Sequence, residues 1–263
     1  MEKADLILFA GQSNMQGQTE ALLDASVVQN ALEYRFLSDS FVPLQDPVGE
    51  DITCEGTAGD AFCEGGDAAA WLARHALGSA CYGHSTMVPS FCRAYAAAAG
   101  CTVLAVPVAK GSTQAADWLP GTDGYAVLVK KAAAALKLAR RNYDVRRVRL
   151  AWLQGESDAI AAVPKETYMA QLRVLNAALQ QALGLDRFGI IRVGSFTGTP
   201  KDAVIQAAQE ELCEKENGFV MLTRLTTELE RDPRWMNPGV AGHFGAAGLA
   251  QLGEAAGKAL AQV

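Results

Sequence analysis

Ser13 and His243 stand in settings that suit acyl transfer. The stretch LFAGQSNMQGQ, residues 8–18, ends an apolar run at Gly11 and places Ser13 two positions later. A serine hydroxyl is a weak nucleophile, so it needs a base within hydrogen-bond reach and donors for the oxyanion that forms on attack. The chain has three histidines. His75 lies inside the helical pattern AAAWLARHALG, which suits a partly buried structural ring, and His84 lies in the loop-like CYGHSTMVPS. His243 stands in NPGVAGHFGAAGLAQLGEAAGKAL, where a glycine-bearing loop meets an amphipathic helix. Such a loop can set the ring over a neighbouring strand end while Leu249, Leu252 and Ala256 anchor the helix.

Two further segments carry groups that the same chemistry could use. In AKGSTQAADW, Gly111 can bring its backbone N–H close to a ligand because it lacks a side chain. In QGESDA, Gln154 offers an amide donor, and Glu156 and Asp158 offer carboxylates that could orient a histidine. Ser157 and Asp158 equally fit a helix cap.

The elements that must position these groups read as follows. LILFA (6–10), TVLAVPVA (102–109), VRLAWL (148–153), FGIIRVGSF (188–196) and GFVMLT (218–223) lack polar alternation, the pattern of parallel strands buried on both faces. Helical patterns fall at about 66–78, 88–99, 123–142, 165–183, 201–216 and 244–262. This alternation predicts an α/β fold, with a mostly parallel five-stranded sheet covered by helices on both faces. Reactive groups in such sheets gather beyond the carboxyl ends of the strands, where Ser13, Gly111 and Gln154 fall. Residues 24–65 read as a long irregular excursion that either covers the sheet edge or walls a cleft. Tyr34, Phe36 and Phe41 within it are candidates for an exposed patch or for core packing.

A chain of 263 residues, half of them hydrophobic and a fifth charged, suits one compact domain spanning 1–263. Twenty-nine acids against 23 bases give a net charge of −6, which gives nucleic acid little attraction. No GxxxxGK[ST] or GxGxxG run follows a strand, so a phosphate cradle is not expected. The first fifteen residues hold only about six apolar residues before a polar turn, too few for a leader core or a membrane span. The six cysteines, at 54, 63, 81, 92, 101 and 213, show no metal-ligand spacing and are expected to be reduced and buried. A cytoplasmic protein without membrane contact is the expectation.

GQSNM at 11–15, KGSTQAADW at 110–118, WLQGESDA at 152–159 and GHFGAAGLAQLG at 242–253 resemble, in this order, the four blocks of the GDSL-like or SGNH hydrolases. The branch they resemble is that of carbohydrate esterase family six and the sialate O-acetylesterase domains. The resemblance spans nearly the whole chain. It implies a flavodoxin-like three-layer α/β/α sandwich and ester hydrolysis without metal or cofactor. The implied substrate is an acetylated sugar or oligosaccharide, as for an acetyl xylan esterase. A sialate O-acetylesterase, or an impaired carbohydrate-binding protein on the same fold, are the alternatives.

Carried over by position, the resemblance makes Ser13 the nucleophile and His243 the base. The N–H groups of Ser13 and Gly111 and the Gln154 amide would form the oxyanion hole, with Gln12, Asn14, Met15 and Trp118 facing the substrate. The second block departs mildly, with Ser112 where a second glycine is common. The family also usually has an aspartate three residues before the histidine, and Val240 stands there instead. Three groups compete to hold the ring: Glu156, which the QGES motif favours; Asp232, folding back; or a backbone carbonyl in a Ser–His dyad.

Overall fold

The computed structural model describes residues 1–36, 38–49 and 85–263. Within them the chain forms strands β1 (Glu2–Gly11), β2 (Ala31–Arg35), β3 (Ser40–Pro43), β4 (Thr102–Ala109), β5 (Tyr143–Leu153), β6 (Arg187–Ile191) and β7 (Phe219–Thr223). They make one sheet in the order β3-β2-β4-β1-β5-β6-β7. All neighbours are parallel except β3, which returns antiparallel on β2. The sheet thus has seven strands rather than five. The additional pair lies inside the stretch read as irregular, because ALEYR and SFVP are short and β3, at the sheet edge, keeps its side chains partly exposed, so neither shows the fully apolar run of a central strand.

The helices are α1 (Ser13–Gln16), α2 (Val88–Ala99), α3 (Asp123–Asn142), α4 (Glu156–Ile160), α5 (Lys165–Leu183), α6 (Pro200–Lys215), α7 (Thr226–Leu229) and α8 (Ala246–Ala261). Leu6 to Ala10 of β1 are all buried, so both faces of the central strand are covered. Phe9 meets Phe91 of α2 edge-on at 5.0 Å. On the opposite face Trp152 of β5 packs edge-on against Trp118 at 5.7 Å. Helix α8 lies flush on α2: a Cβ at Gly253 would fall 2.4 Å from the Met87 carbonyl oxygen, and one at Gly257 2.3 Å from that of Phe91. Only glycine admits so close an approach.

The chain runs from β1 outward in two directions, to β4 and β2 on one side and to β5, β6 and β7 on the other. The carboxyl end of β1 is therefore the switch point of the sheet, where a crevice must open. β6 is shorter than the apolar run suggested and stops at Ile191, and residues 192–196 leave the sheet as a loop. Glu230 ties that loop by accepting the Ser195 N–H at 2.6 Å. A second tie holds the segment after β3: the buried Asp46 carboxylate accepts the Thr86 N–H at 3.1 Å and the Thr86 hydroxyl at 2.9 Å, just ahead of α2. The helix expected at 66–78, with His75 and His84, lies outside the described residues, as do Cys54, Cys63 and Cys81. Cys92 and Cys101 are buried free thiols and Cys213 is half-buried. No helix among the described residues is long and apolar enough to cross a membrane.

Candidate active site

β1 ends on Gly11, whose φ of +143° is open only to glycine, and a Cβ there would lie 2.0 Å from the Leu153 carbonyl oxygen. The chain then folds into the single turn α1, with Met15 N–H and Gln16 N–H both donating to the Gln12 carbonyl at 2.9 Å. Ser13 is the first residue of that turn. It is 5 % exposed, and its own N–H makes no hydrogen bond within the described residues.

The loop before α8 brings His243 to it. His243 Nε2 lies 2.7 Å from Ser13 Oγ, and Nδ1 lies 2.9 Å from the Ala241 carbonyl oxygen. A carbonyl can only accept, so Nδ1 carries the proton and Nε2 keeps its lone pair toward the serine hydroxyl. The ring is fixed further by Phe196, edge-on with centroids 5.7 Å apart. Three ties hold the loop itself. Asn237 N–H donates to the His243 carbonyl at 2.8 Å, Phe244 N–H donates to Asn14 Oδ1 at 3.0 Å, and the Glu20 carboxylate accepts Ala246 N–H at 3.1 Å where α8 begins.

None of the acids proposed for the ring occupies that place. Glu156 accepts Asn14 Nδ2 at 2.9 Å instead, and burial raises its carboxyl above the usual range. Asn14 then reaches Phe244 N–H and, at 3.5 Å, the Gly242 carbonyl, so Glu156 touches the histidine loop only through that amide. Asp232 is spent on Arg234, with Oδ2 2.6 Å from its Nη2. Val240 is 39 % exposed and contributes its carbonyl to His243 N–H at 3.2 Å. The third candidate, a backbone carbonyl, is the one in place, and it is that of Ala241, a residue that side-chain type could not single out.

The expected oxyanion donors divide. Gly111 is adjacent, since a Cβ on it would stand 3.5 Å from Ser13 Cβ, but its N–H donates to Gln16 Oε1 at 3.0 Å. Gln154 is fully buried and directs its amide inward, to the Thr113 carbonyl at 2.9 Å and to Asp158, so it does not aim at Ser13. Burial raises the Asp158 carboxyl to about 6, against the Gln154 and Ala115 donors that favour its charged form.

The residues expected to face the substrate are little exposed, although Asn14 lines a cleft beside the histidine loop and Trp118 one beside Gly111. Gln12, Asn14, Met15 and Trp118 are 3 %, 2 %, 2 % and 2 % exposed. Gln12 Oε1 accepts Ser157 N–H at 3.2 Å, tying α1 to α4, and Trp118 Nε1 donates to Thr113 Oγ1 at 3.1 Å. The residues that the sequence did not single out are Gln16, Glu20 and Phe196, and Ala241 as the owner of the backbone carbonyl, none of which a hydrolase motif distinguishes by side-chain type. No group of three or more His, Cys, Asp or Glu that could hold a metal ion occurs among the described residues.

A family model described as "Carbohydrate esterase, sialic acid-specific acetylesterase" matches residues 3–262. No curated protein matches the chain by sequence. Among solved structures, a protein from Arabidopsis thaliana is 18% identical, with 98% of each chain covered and a TM-score of 0.63. NanS is 14% identical, with 99% of this chain and 97% of that one covered, at a TM-score of 0.65. A carbohydrate acetylesterase from Xanthomonas citri is 15% identical, with 95% of this chain covered and 54% of that one, at 0.53. At these identities the three structures speak for the fold.

Proposed function

Since the chain belongs to the carbohydrate esterase family of sialic acid-specific acetylesterases, we propose that it is a serine esterase that removes O-acetyl groups from acetylated carbohydrates through Ser13 and His243. The observation that carries this reading is the 2.7 Å contact between His243 Nε2 and Ser13 Oγ, with Nδ1 held by a backbone acceptor.

His243 takes the Ser13 proton as Oγ attacks the acetyl carbonyl. The Ser13 N–H and the Gly111 N–H receive the oxyanion, and the substrate oxygen replaces Gln16 Oε1 on the latter. The imidazolium then protonates the departing sugar hydroxyl, and water releases acetate from the acyl-enzyme by the same exchange of roles. The Ala241 carbonyl keeps the productive tautomer, the part of an orienting aspartate's work whose loss costs about 10⁴ in rate in serine proteases. It brings no negative charge to the imidazolium, so turnover should sit below that of enzymes with the full triad.

Acetylated xylan fragments and O-acetylated sialic acids are the two substrate classes to compare. A sugar-binding protein with impaired catalysis is the second reading, favoured by Val240 at the usual aspartate position and by Gln16 on the Gly111 N–H. Acetate release from both substrates, with p-nitrophenyl acetate as a small ester, separates the readings. Turnover that Ser13→Ala abolishes supports the esterase, and sugar binding without turnover supports the alternative.

A further inference from the structure

We propose that the cleft beside the histidine loop seats the sugar that leaves as the alcohol, and that it takes a neutral acetylated sugar in preference to an anionic one. This rests on the Ser13–His243 reading. The base hands its proton to the leaving oxygen, so the sugar must lie on the His243 side of Ser13, with the oxyanion on the Gly111 side.

A cleft of about 470 Å³ opens on that side, lined among others by Asn14, Glu156, Phe196, Glu230, Met236 and Phe244. Asn14 follows the nucleophile in the chain and Phe244 follows the base. Its volume is in the range of small-molecule sites, roughly 300–1,000 Å³. Phe196, already against the His243 ring, is half-buried and offers an aromatic surface to the C–H face of a sugar.

The charge of the lining sets the preference. Its two ionisable groups are the carboxyls of Glu156 and Glu230, and neither lysine nor arginine lines the cleft among the described residues. Glu156 Oε2 is buried with no hydrogen-bond partner there, and Glu230 spends one oxygen on Ser195 N–H. Lys201, at the start of α6, donates its ammonium to the Ile160 carbonyl at 3.3 Å and stays outside the lining. Carboxyl groups suit the hydroxyl donors of a sugar. Half-buried Glu230, with no cation in the lining beside it, repels the carboxylate of an acidic sugar, while Glu156, buried and with its carboxyl raised above the usual range, adds an acceptor rather than an exposed charge.

Calorimetric titration of the Ser13→Ala protein tests this without depending on turnover. An acetylated xylo-oligosaccharide should bind at least about tenfold tighter than 9-O-acetylated sialic acid, a gap of about 1.4 kcal/mol. Adding Phe196→Ala should weaken the xylo-oligosaccharide by about tenfold, and adding Glu230→Gln, which keeps an acceptor for Ser195, should narrow the gap between the two sugars. Equal or tighter binding of the sialic acid overturns the proposal, as does undiminished binding by the Phe196→Ala protein. Hydrolysis of p-nitrophenyl acetate by the wild type tests the Ser13–His243 reading separately, so the two can fail independently.

Discussion

The side-chain amide of Asn14 holds the backbone on both sides of His243, while Ser13 is its neighbour in the chain. One residue thus fixes His243 and Ser13 relative to each other, and Glu156 fixes the amide in turn. Placement of a base to within an ångström governs rate more than it governs binding. Asn14→Ala should therefore lower kcat by about ten- to a hundredfold with KM changed little, as steady-state kinetics on p-nitrophenyl acetate would show. A mutant that loses affinity and keeps kcat would contradict this positioning role. At this scale the pairing of Ser13 with His243 was legible because a serine just past the first strand and a histidine in a glycine-bearing loop are the two partners that acyl transfer would need. The orienting acceptor was not, because a main-chain carbonyl can belong to any residue. The partners of Gln154 and Glu156 were not legible for a related reason: a sequence does not show that burial ties these polar side chains to interior hydrogen bonds.

Among the elements, the end of β1 tolerates least. Gly11→Ala would force a Cβ against the Leu153 carbonyl and demand an unfavourable φ, and about 3 kcal/mol or more of stability should disappear in denaturant titration. A fully stable variant would show that the strand can end otherwise. The pin between Asp46 and Thr86 makes a second prediction. Desolvation lifts the Asp46 carboxyl from 3.8 to about 7, outweighing the Thr86 donors. The folded protein therefore keeps a proton that the unfolded chain has released, so this group's stabilisation is whole below about pH 4 and declines as pH rises toward 7. The fall in Tm between about pH 5 and about pH 8 should be smaller in Asp46→Asn than in the wild type, and equal falls would refute the assignment. The central strands could be read from sequence because burial on both faces leaves an unbroken apolar run. β2 and β3 could not, since an edge hairpin needs no such run, and the end of β6 was misplaced because apolar residues continue into the loop that carries Phe196.

On the scale of the whole molecule, Ser13 and His243 are 230 positions apart and meet because the first strand and the closing helix flank the same crevice. The serine belongs to the middle of the sheet, where strands are paired on both sides. The histidine depends on how firmly α8 lies on α2. Gly257→Val, which sets side-chain carbons against the Phe91 carbonyl, should lower the temperature of half-inactivation by more than it lowers the Tm read from the strands by circular dichroism. Coincident losses would show that helix and sheet let go together.

The flush seat of α8 thus makes the two glycines a thermal fuse. If heat pries the helix from its neighbour first, the imidazole should leave the hydroxyl before the sheet melts.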